Sequence, residues 1–435
     1  MPIFPRRVIQ KIIDENRSFL PEDQVREHVN KLNAKRNASL ATEWEIVILN
    51  VLSKIGNVQH EKKFNGERKP DIYFEASTIE PFVADITAIS DDYYDKKNPI
   101  AFFYENVNKV FHAKGLTTRG LGIEVGSKNI GIYGDKRIHL SLPEKKYIPR
   151  FVKQEFSSII DSIKGNPSQA FKTKIEDGVV SMTVTYNPQD KYFSGHYASY
   201  SVPYSLDNNP ISRRLQKKAN QLRKSGYLGV MGVFICDASC DSLNHDMRSV
   251  EQYTQDQIIH KAFIDNTSLS FVVIITPEEQ HQAFGIRAKK YIKGKFYSNT
   301  NAKYPVSNQF FSHLKIIEKH FPIPQTMPIN VKRNPSNKDE GHSHYGGFTM
   351  SDNKIKISSR MITELFAGVL DFGKFDKDQK SMNTDKKNYI REFFLRQLMN
   401  GKMIKDISVE KCSDEDDDWV EFVYGHSDPA ISKFK

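Results

Sequence analysis

The sequence predicts an α/β fold: a mixed β-sheet core flanked by helices, interrupted by a large insertion and followed by a C-terminal α/β or helical region. Three observations predict it. Apolar runs rich in Val and Ile, at Phe82–Ile89, Leu228–Cys236 and Leu269–Thr276, have the length and β-branched content of buried strands. Helical segments accompany them: Leu40 to Ile55, with apolar residues at three- and four-residue steps, before the first, and the strongly basic Ile211 to Ser225 directly before the second. Finally, 38% hydrophobic and 11% aromatic residues, with no apolar run long enough to span a bilayer, describe a globular chain without a membrane partner.

Along residues 6–36 the sparse apolar positions Val8, Ile12, Ile13, Val25 and Val29 suit helices packed by one face, so residues 1–40 form an N-terminal helical segment. Leu40, Trp44, Val47, Ile48, Val51, Leu52 and Ile55 mark a helix that stops at Gly56, and Ile46 and Leu49 on its other faces make it well buried. Val58–Phe64 reads as a strand, Asn65-Gly66 as a turn and Asp71–Phe74 as a second strand. The third strand, Phe82–Ile89, is nearly apolar on both faces, hence central, and its period of two puts Asp85 and Thr87 on one face.

Asn98-Pro99 then opens a helix over Ile100–Ala113, and the Gly-rich stretch Gly115–Gly134 reads as loops with short strands. Lys145–Lys164 suits a helix, Gly178–Tyr186 a strand, and the Tyr-rich stretch Tyr192–Tyr204 a loop or edge strand. Asn209-Pro210 starts a strongly basic helix closed by Gly226, and the buried strand Leu228–Cys236 follows at once. Tyr253–Asp265 is a helix, Leu269–Thr276 a strand and Pro277-Glu278 a turn. These elements divide the chain into a core at 41–280, an insertion at about 93–208, and a C-terminal region at 281–435 with no assigned role. In that last region the polar stretch Asn334–Gly347 reads as a linker, Met361–Phe372 and Lys387–Asn400 as helices, and Asp414–Asp418 as a solvated acidic run.

A formal charge of +10 favours polyanionic partners through phosphate attraction and counterion release. The three cysteines, Cys236, Cys240 and Cys412, are too few for a disulfide framework; Cys236 and Cys240 read as buried free thiols. Together with a start, Met1–Arg7, that has no apolar stretch of secretory length, they place the expected location in the cytoplasm. Gly-rich phosphate loops, nucleophile elbows and zinc patterns are absent from the sequence. His342-Ser343-His344 has no obvious third ligand and reads as a surface turn, whereas Asp237, Cys240 and Asp241 sit where a helix N-cap is expected.

The constellation with chemical potential is acidic. Phosphodiester hydrolysis needs a divalent metal to polarise the phosphate and neutralise developing charge, and hard Mg²⁺ prefers a few carboxylates with water completing its shell. Asp71, Asp85 and either Glu43 or Glu45, set on two strands and a helix, could converge on such an ion. The plainer reading takes Glu43 and Glu45 as flanking helix charges, Asp71 as a strand-start residue and Asp85 as paired with a buried cation.

Pro70-Asp71 followed by Asp85-Ile86-Thr87 resembles the signature of the PD-(D/E)XK nuclease superfamily. Trp44-Glu45 with Gly56 eleven residues on is similar to the Mrr-like helix pattern, which prefers Glu45 over Glu43. The resemblance implies a restriction-endonuclease-like core and a metal-dependent DNA endonuclease of bacterial restriction or anti-phage defence. It further implies Mg²⁺ or Mn²⁺ held by Asp71, Asp85 and Glu45 (Glu43 the alternative), with Thr87 positioning water, and a homodimer with possible partner proteins of a defence system. One departure stands out: Thr87 occupies the position of the signature lysine. Some members are similar in carrying that lysine on a neighbouring helix, and here the basic helix offers Lys218 with Gln221 three residues on, with Lys217 the neighbouring choice and Lys69 a weaker one. On the same helix Arg213, Arg214, Lys217, Arg223 and Lys224 could contact phosphates or form a solvated face. The competing class is a catalytically inactive nuclease-fold protein acting as a nucleic-acid-binding or scaffolding component.

Overall fold

The computed structural model describes residues 3–33, 37–131, 137–190, 193–198, 200, 205–244, 252–280, 289–328, 348–368, 389–412 and 417–427. It is a mixed α/β structure in two compact units, one comprising Met1–Asn50, Glu278–Ile292 and Phe321–Lys435, the other Val51–Pro277 and Lys293–His320. Among the described residues no helix is long and apolar enough to cross a membrane.

The chain begins with helices α1 (Arg6–Asn16), α2 (Glu22–Leu32) and α3 (Asn37–Ser53). Ile9, Ile12 and Ile13 bury one face of α1. By contrast α3 is enclosed on every side, since Trp44, Ile46, Val47, Ile48 and Leu49 are all at most 1% exposed. Polar groups that cross this apolar packing are satisfied: the Asn16 amide donates to the Ile46 carbonyl at 3.1 Å and accepts from the Asn50 amide at 3.0 Å.

The second unit is built from β1 (Asn57–His60), β2 (Ile72–Ala76) and β3 (Ile79–Ile89), then α4 (Asp92–Lys97), α5 (Ile100–Ala113), β4 (Leu121–Val125), β5 (Ser127–Ile130), β6 (Arg137–Leu140), α6 (Ile148–Gly165), β7 (Phe171–Glu176), β8 (Ser181–Tyr186) and β9 (Ser194–Tyr197). It continues with α7 (Pro210–Arg223), β10 (Val230–Asp237), α8 (Asp241–Asn244), α9 (Gln255–Asp265), β11 (Phe271–Gln280), β12 (Lys289–Ser298) and α10 (Asn308–Leu314), the unit boundaries falling within β11 and β12. Its main sheet has the order β1-β2-β3-β10-β11-β12. The first three strands form an antiparallel meander, and β3, β10 and β11 run parallel. Parallel neighbours require crossovers; α7 ends one and α9 forms the other.

Both helices cover a single face of that sheet. Ile211, Leu215, Ala219 and Leu222 of α7, with Ile258, Ile259 and Ala262 of α9, pack on Val83, Val233, Ile235, Val272 and Ile274. Aromatic rings fill the opposite face: Phe82, Phe271 and Phe310 meet with centroids 5.2 and 5.0 Å apart. Gly232 makes room for them, because a Cβ there would lie 2.1 Å from the Phe271 ring.

Between β3 and α7 the insertion forms a layer of its own, with α5 and α6 packed on a sheet of order β7-β8-β4-β9 around Phe103, Phe156, Ile123 and Val184. Here the Tyr-rich stretch yields β9, an edge strand parallel to β4. β7 was not anticipated, because its FKTKIE pattern alternates lysines with apolar residues at an edge.

Two further expectations are corrected, and one strand is added. The first strand ends at His60 rather than Phe64, since Glu61 takes φ 51° and turns the chain away. Pro277-Glu278 is not a turn: β11 continues to Gln280, and Pro277 lies past Ile275, the last residue paired with β10, where no ladder N–H is required on that side. A sixth strand, β12, joins the sheet from residues 289–298.

In the first unit the C-terminal residues form β13 (Phe348–Met350), β14 (Lys354–Ser358), α11 (Ser359–Phe366), α12 (Tyr389–Met399), β15 (Ile404–Glu410) and β16 (Trp419–Tyr424). The strands make an antiparallel sheet of order β13-β14-β16-β15, with Met361, Ile390 and Phe393 of the helices against Ile355, Ile357 and Tyr424. The acidic run is structural rather than merely solvated where it is described: Asp417 accepts the Arg360 N–H at 3.0 Å at the start of α11, and Asp418 pairs with Arg7 at 2.8 Å. His342, Ser343 and His344 lie outside the described residues, as do 369–372 of the expected Met361–Phe372 helix.

Candidate active site

The antiparallel register of β2 and β3 sets Ile72 opposite Ala84. One step back along β2 this places Asp71 beside Asp85, so two carboxylates face each other across neighbouring strands. Backbone hydrogen bonds hold the pair in place. The Asp71 N–H donates to Asp85 Oδ1 at 3.1 Å, and the Ile86 N–H donates to Asp71 Oδ2 at 2.7 Å.

Two facing carboxylates repel unless a cation compensates them. Lys218 supplies it: Nζ lies 3.3 Å from Asp71 Oδ2 and 3.3 Å from Asp85 Oδ2. It reaches them because α7 packs on this face of β3, with Leu215, Ala219 and Leu222 anchoring the helix on either side of it. Burial pushes the Asp85 carboxyl above its usual range, while Lys218 and the Asp71 N–H pull it back. For Lys218 burial works against the charge, but Asp71 and Asp85 together outweigh it and hold the ammonium above the ordinary lysine value. The outcome is a cation between two acids, one of which, Asp85, is only 3% exposed.

Thr87 is buried two residues beyond Asp85 on the same face of β3. On α7, Gln221 follows Lys218 by one turn, and its carboxamide oxygen is buried with no hydrogen-bond donor among the described residues. Lys217 is exposed and Lys69 faces Glu61 at 3.9 Å, so of the three lysines weighed from sequence it is Lys218 that meets the aspartates.

The two helix glutamates do different work. Glu43, 1% exposed, accepts the backbone N–H groups of Ile3 and Phe4 at 3.2 and 2.9 Å, fixing the chain start beside Trp44. Glu45 faces His28 Nε2 at 3.5 Å. Both glutamates belong to the first unit, whereas Asp71, Asp85 and Lys218 belong to the second.

The basic residues of α7 separate by helix geometry. At about 100° per residue, Arg214, Lys217 and Lys224 fall with Gln221 in a band of about 120° that starts at Lys218, and all three cations are exposed. Arg213 instead donates to Asn208 and lies 5.9 Å from the Tyr94 ring, while Arg223 donates to Asn220.

Sequence reasoning missed the loop that joins this helix to the acidic strands. Gly66 and Glu67 donate their N–H groups to the Ser225 and Lys224 carbonyls at 3.0 and 2.9 Å, so the loop caps the end of α7. Next to it Phe64, Tyr73 and Tyr227 form a ring cluster with Lys62 Nζ 3.6 Å from the Tyr73 centroid. Asn65-Gly66 was readable as a turn, but its docking partner lies about 160 residues away along the chain and left no local signal.

The other expected candidates are structural. Asp237 accepts the N–H groups of Ser239 and Cys240 at 2.8 and 2.9 Å, Asp91 accepts that of Asp241 at 2.8 Å, and the buried Cys236 and Cys240 thiols are raised well above their usual range by burial.

Comparison of the chain with protein families, with curated proteins and with solved structures finds no match.

Proposed function

We propose that the second unit is a restriction-endonuclease-like core and that the protein is a metal-dependent DNA endonuclease. The observation that carries this reading is the triad of Asp71, Asp85 and Lys218, with one ammonium 3.3 Å from both carboxylates. It supplies from α7 the lysine that Thr87 replaces on β3.

The donor set fits a hard divalent ion: two facing carboxylates, one of them buried and raised in pKa, gain from a nearby positive charge. Asp71 and Asp85 would hold Mg²⁺ or Mn²⁺, which when bound supplies electrostatic stabilisation of the phosphate's developing charge. Lys218 adds a fixed positive charge to a non-bridging phosphate oxygen. The Thr87 hydroxyl and the Gln221 carboxamide oxygen orient the attacking water, and Arg214, Lys217 and Lys224 hold the backbone of the nucleic acid. A cytoplasmic role in restriction or anti-phage defence, alone or with partner proteins, accords with this chemistry and with the charge of +10.

A second reading has one observation in its favour. The Lys218 ammonium already pairs with both aspartates at 3.3 Å, as in a purely structural ion-pair cluster. In that case the protein binds nucleic acid without cutting it. Plasmid cleavage separates the two: the nuclease reading expects nicking or linearisation with Mg²⁺ or Mn²⁺ that Asp85→Ala abolishes while DNA binding persists. Binding without cleavage under either metal establishes the second reading.

A further inference from the structure

Strand β15 is the last strand of the C-terminal sheet, paired with β16 on one side and with no strand on the other among the described residues. All of its seven residues are exposed. Its sequence, Ile404-Lys405-Asp406-Ile407-Ser408-Val409-Glu410, is not that of a solvated edge, because its three apolar residues share one face. The register shows how. Ile407 stands opposite Phe422 and Val409 opposite Val420, which in turn stand opposite the core residues Ile355 and Ile357 of β14. The irregularity between Ile404 and Asp406 takes up Lys405 as an extra residue, so that Ile404, opposite the buried Tyr424, returns to the same face.

That apolar face is covered at one end and bare at the other. Ile355 and Ile357 are 0% and 3% exposed beneath the helices, but Ile404, Ile407 and Val409 remain 44%, 55% and 57% exposed. Met399 and Met403, at the end of α12 and just before β15, are 70% and 65% exposed. Hydrophobic residues so exposed along an unpaired strand edge invite edge-to-edge pairing.

We infer that β15 pairs antiparallel with β15 of a second copy of this chain about a two-fold axis at Ile407, joining two four-stranded sheets into one. The apolar row Ile404, Ile407 and Val409 matches itself when reversed, which points to a second copy, and charge limits the register. A two-fold perpendicular to the sheet pairs residues of like parity, so the centre can fall only on a residue. Centred on Asp406, the strands would set Asp406 against Asp406; centred on Ser408, they would set Asp406 against Glu410 twice. Centred on Ile407, they set Ile407 against Ile407 and Asp406 against Ser408 and, with Lys405 taken up as the extra residue, Ile404 against Val409, so that the apolar residues of the two strands meet one another and no like charges are opposed. The interface is isologous and closes on itself, as a stable dimer requires.

The test uses the full chain with Cys412→Ser as background. Ile407→Cys places two thiols directly across the axis, with Cβ atoms about 4.5–5.5 Å apart, and mild oxidation should give a covalent dimer on a non-reducing gel. Val409→Cys, whose two copies would stand about 13 Å apart along the strands, should give none. In sedimentation velocity the parent chain should be dimeric, Ile407→Asp monomeric with unchanged circular dichroism, and Ser408→Asp, which opposes Asp406 twice, weakened about tenfold. A parent chain that stays monomeric up to about 100 µM, or a dimer that survives Ile407→Asp without cross-linking at Ile407→Cys, overturns the proposal. So does an Ile407→Asp variant that loses thermal stability with no change of mass, since another part of the same chain would then be the cover.

Discussion

Lys218 stands where two carboxylates would otherwise face each other in a site largely closed to water. Replacing it by Met keeps the length of the side chain and removes the charge, leaving an uncompensated buried acid at a cost of about 3 kcal/mol. Thermal unfolding of Lys218→Met should fall accordingly, and Mg²⁺ should restore more stability to the variant than to the parent, because the ion meets two unpaired carboxylates. Equal responses to Mg²⁺ would count against a metal-binding pair. A second residue reports on the insertion. His139 on β6 is held below its usual value near 6.5 by burial and by Lys97 and Arg137. The folded state therefore binds the proton more weakly than the unfolded chain, so this contribution to stability is complete above about pH 6.5 and is lost as the pH falls below it. Melting temperatures followed from pH 7.5 to 5.5 should decline less steeply for His139→Gln than for the parent.

Among elements, α7 does the most to assemble the site. Its start at Asn209-Pro210, its basic character and its stop at Gly226 were plain in the sequence, and in the structure Ile211, Leu215, Ala219 and Leu222 form its buried stripe at helical spacing. The residue it would present to the aspartates was open between Lys217 and Lys218. Packing decided that, because the stripe docks on β3 and β10 with Lys218 at its border. The far end of α7 is held by the loop 61–70, where a Cβ on Gly66 would lie 2.2 Å from the Lys224 carbonyl oxygen. Backbone atoms on both sides leave little room to relax, so Gly66→Ala should destabilise the unit by about 1–3 kcal/mol and loosen Asp71 relative to Lys218. At a temperature where the variant stays folded, the proposed nuclease activity predicts a drop in turnover with nucleic-acid binding retained. Unchanged unfolding and turnover would show that the contact is dispensable.

At the scale of the whole molecule the charge of +10 predicts salt-sensitive binding to nucleic acid. Changing Arg214, Lys217 and Lys224 together to Gln should reduce the slope of log K against log salt by about 2–3 in filter binding or fluorescence anisotropy. An unchanged slope would place the phosphate contacts elsewhere. The sequence by itself determined the α/β class, the central strands β3 and β10 and the helices between them, because apolar periodicity and β-branched runs are local signals. It also determined that Asp85 and Thr87 share a face, which follows from the period of a strand. Tertiary structure alone decided that Asp71 stands beside Asp85, that Lys218 bridges them, and that Glu43 holds the chain start while Glu45 faces His28. Each of these depends on strand register or helix docking between residues far apart in the chain, and a local pattern of hydrophobic and polar residues carries no record of that distance.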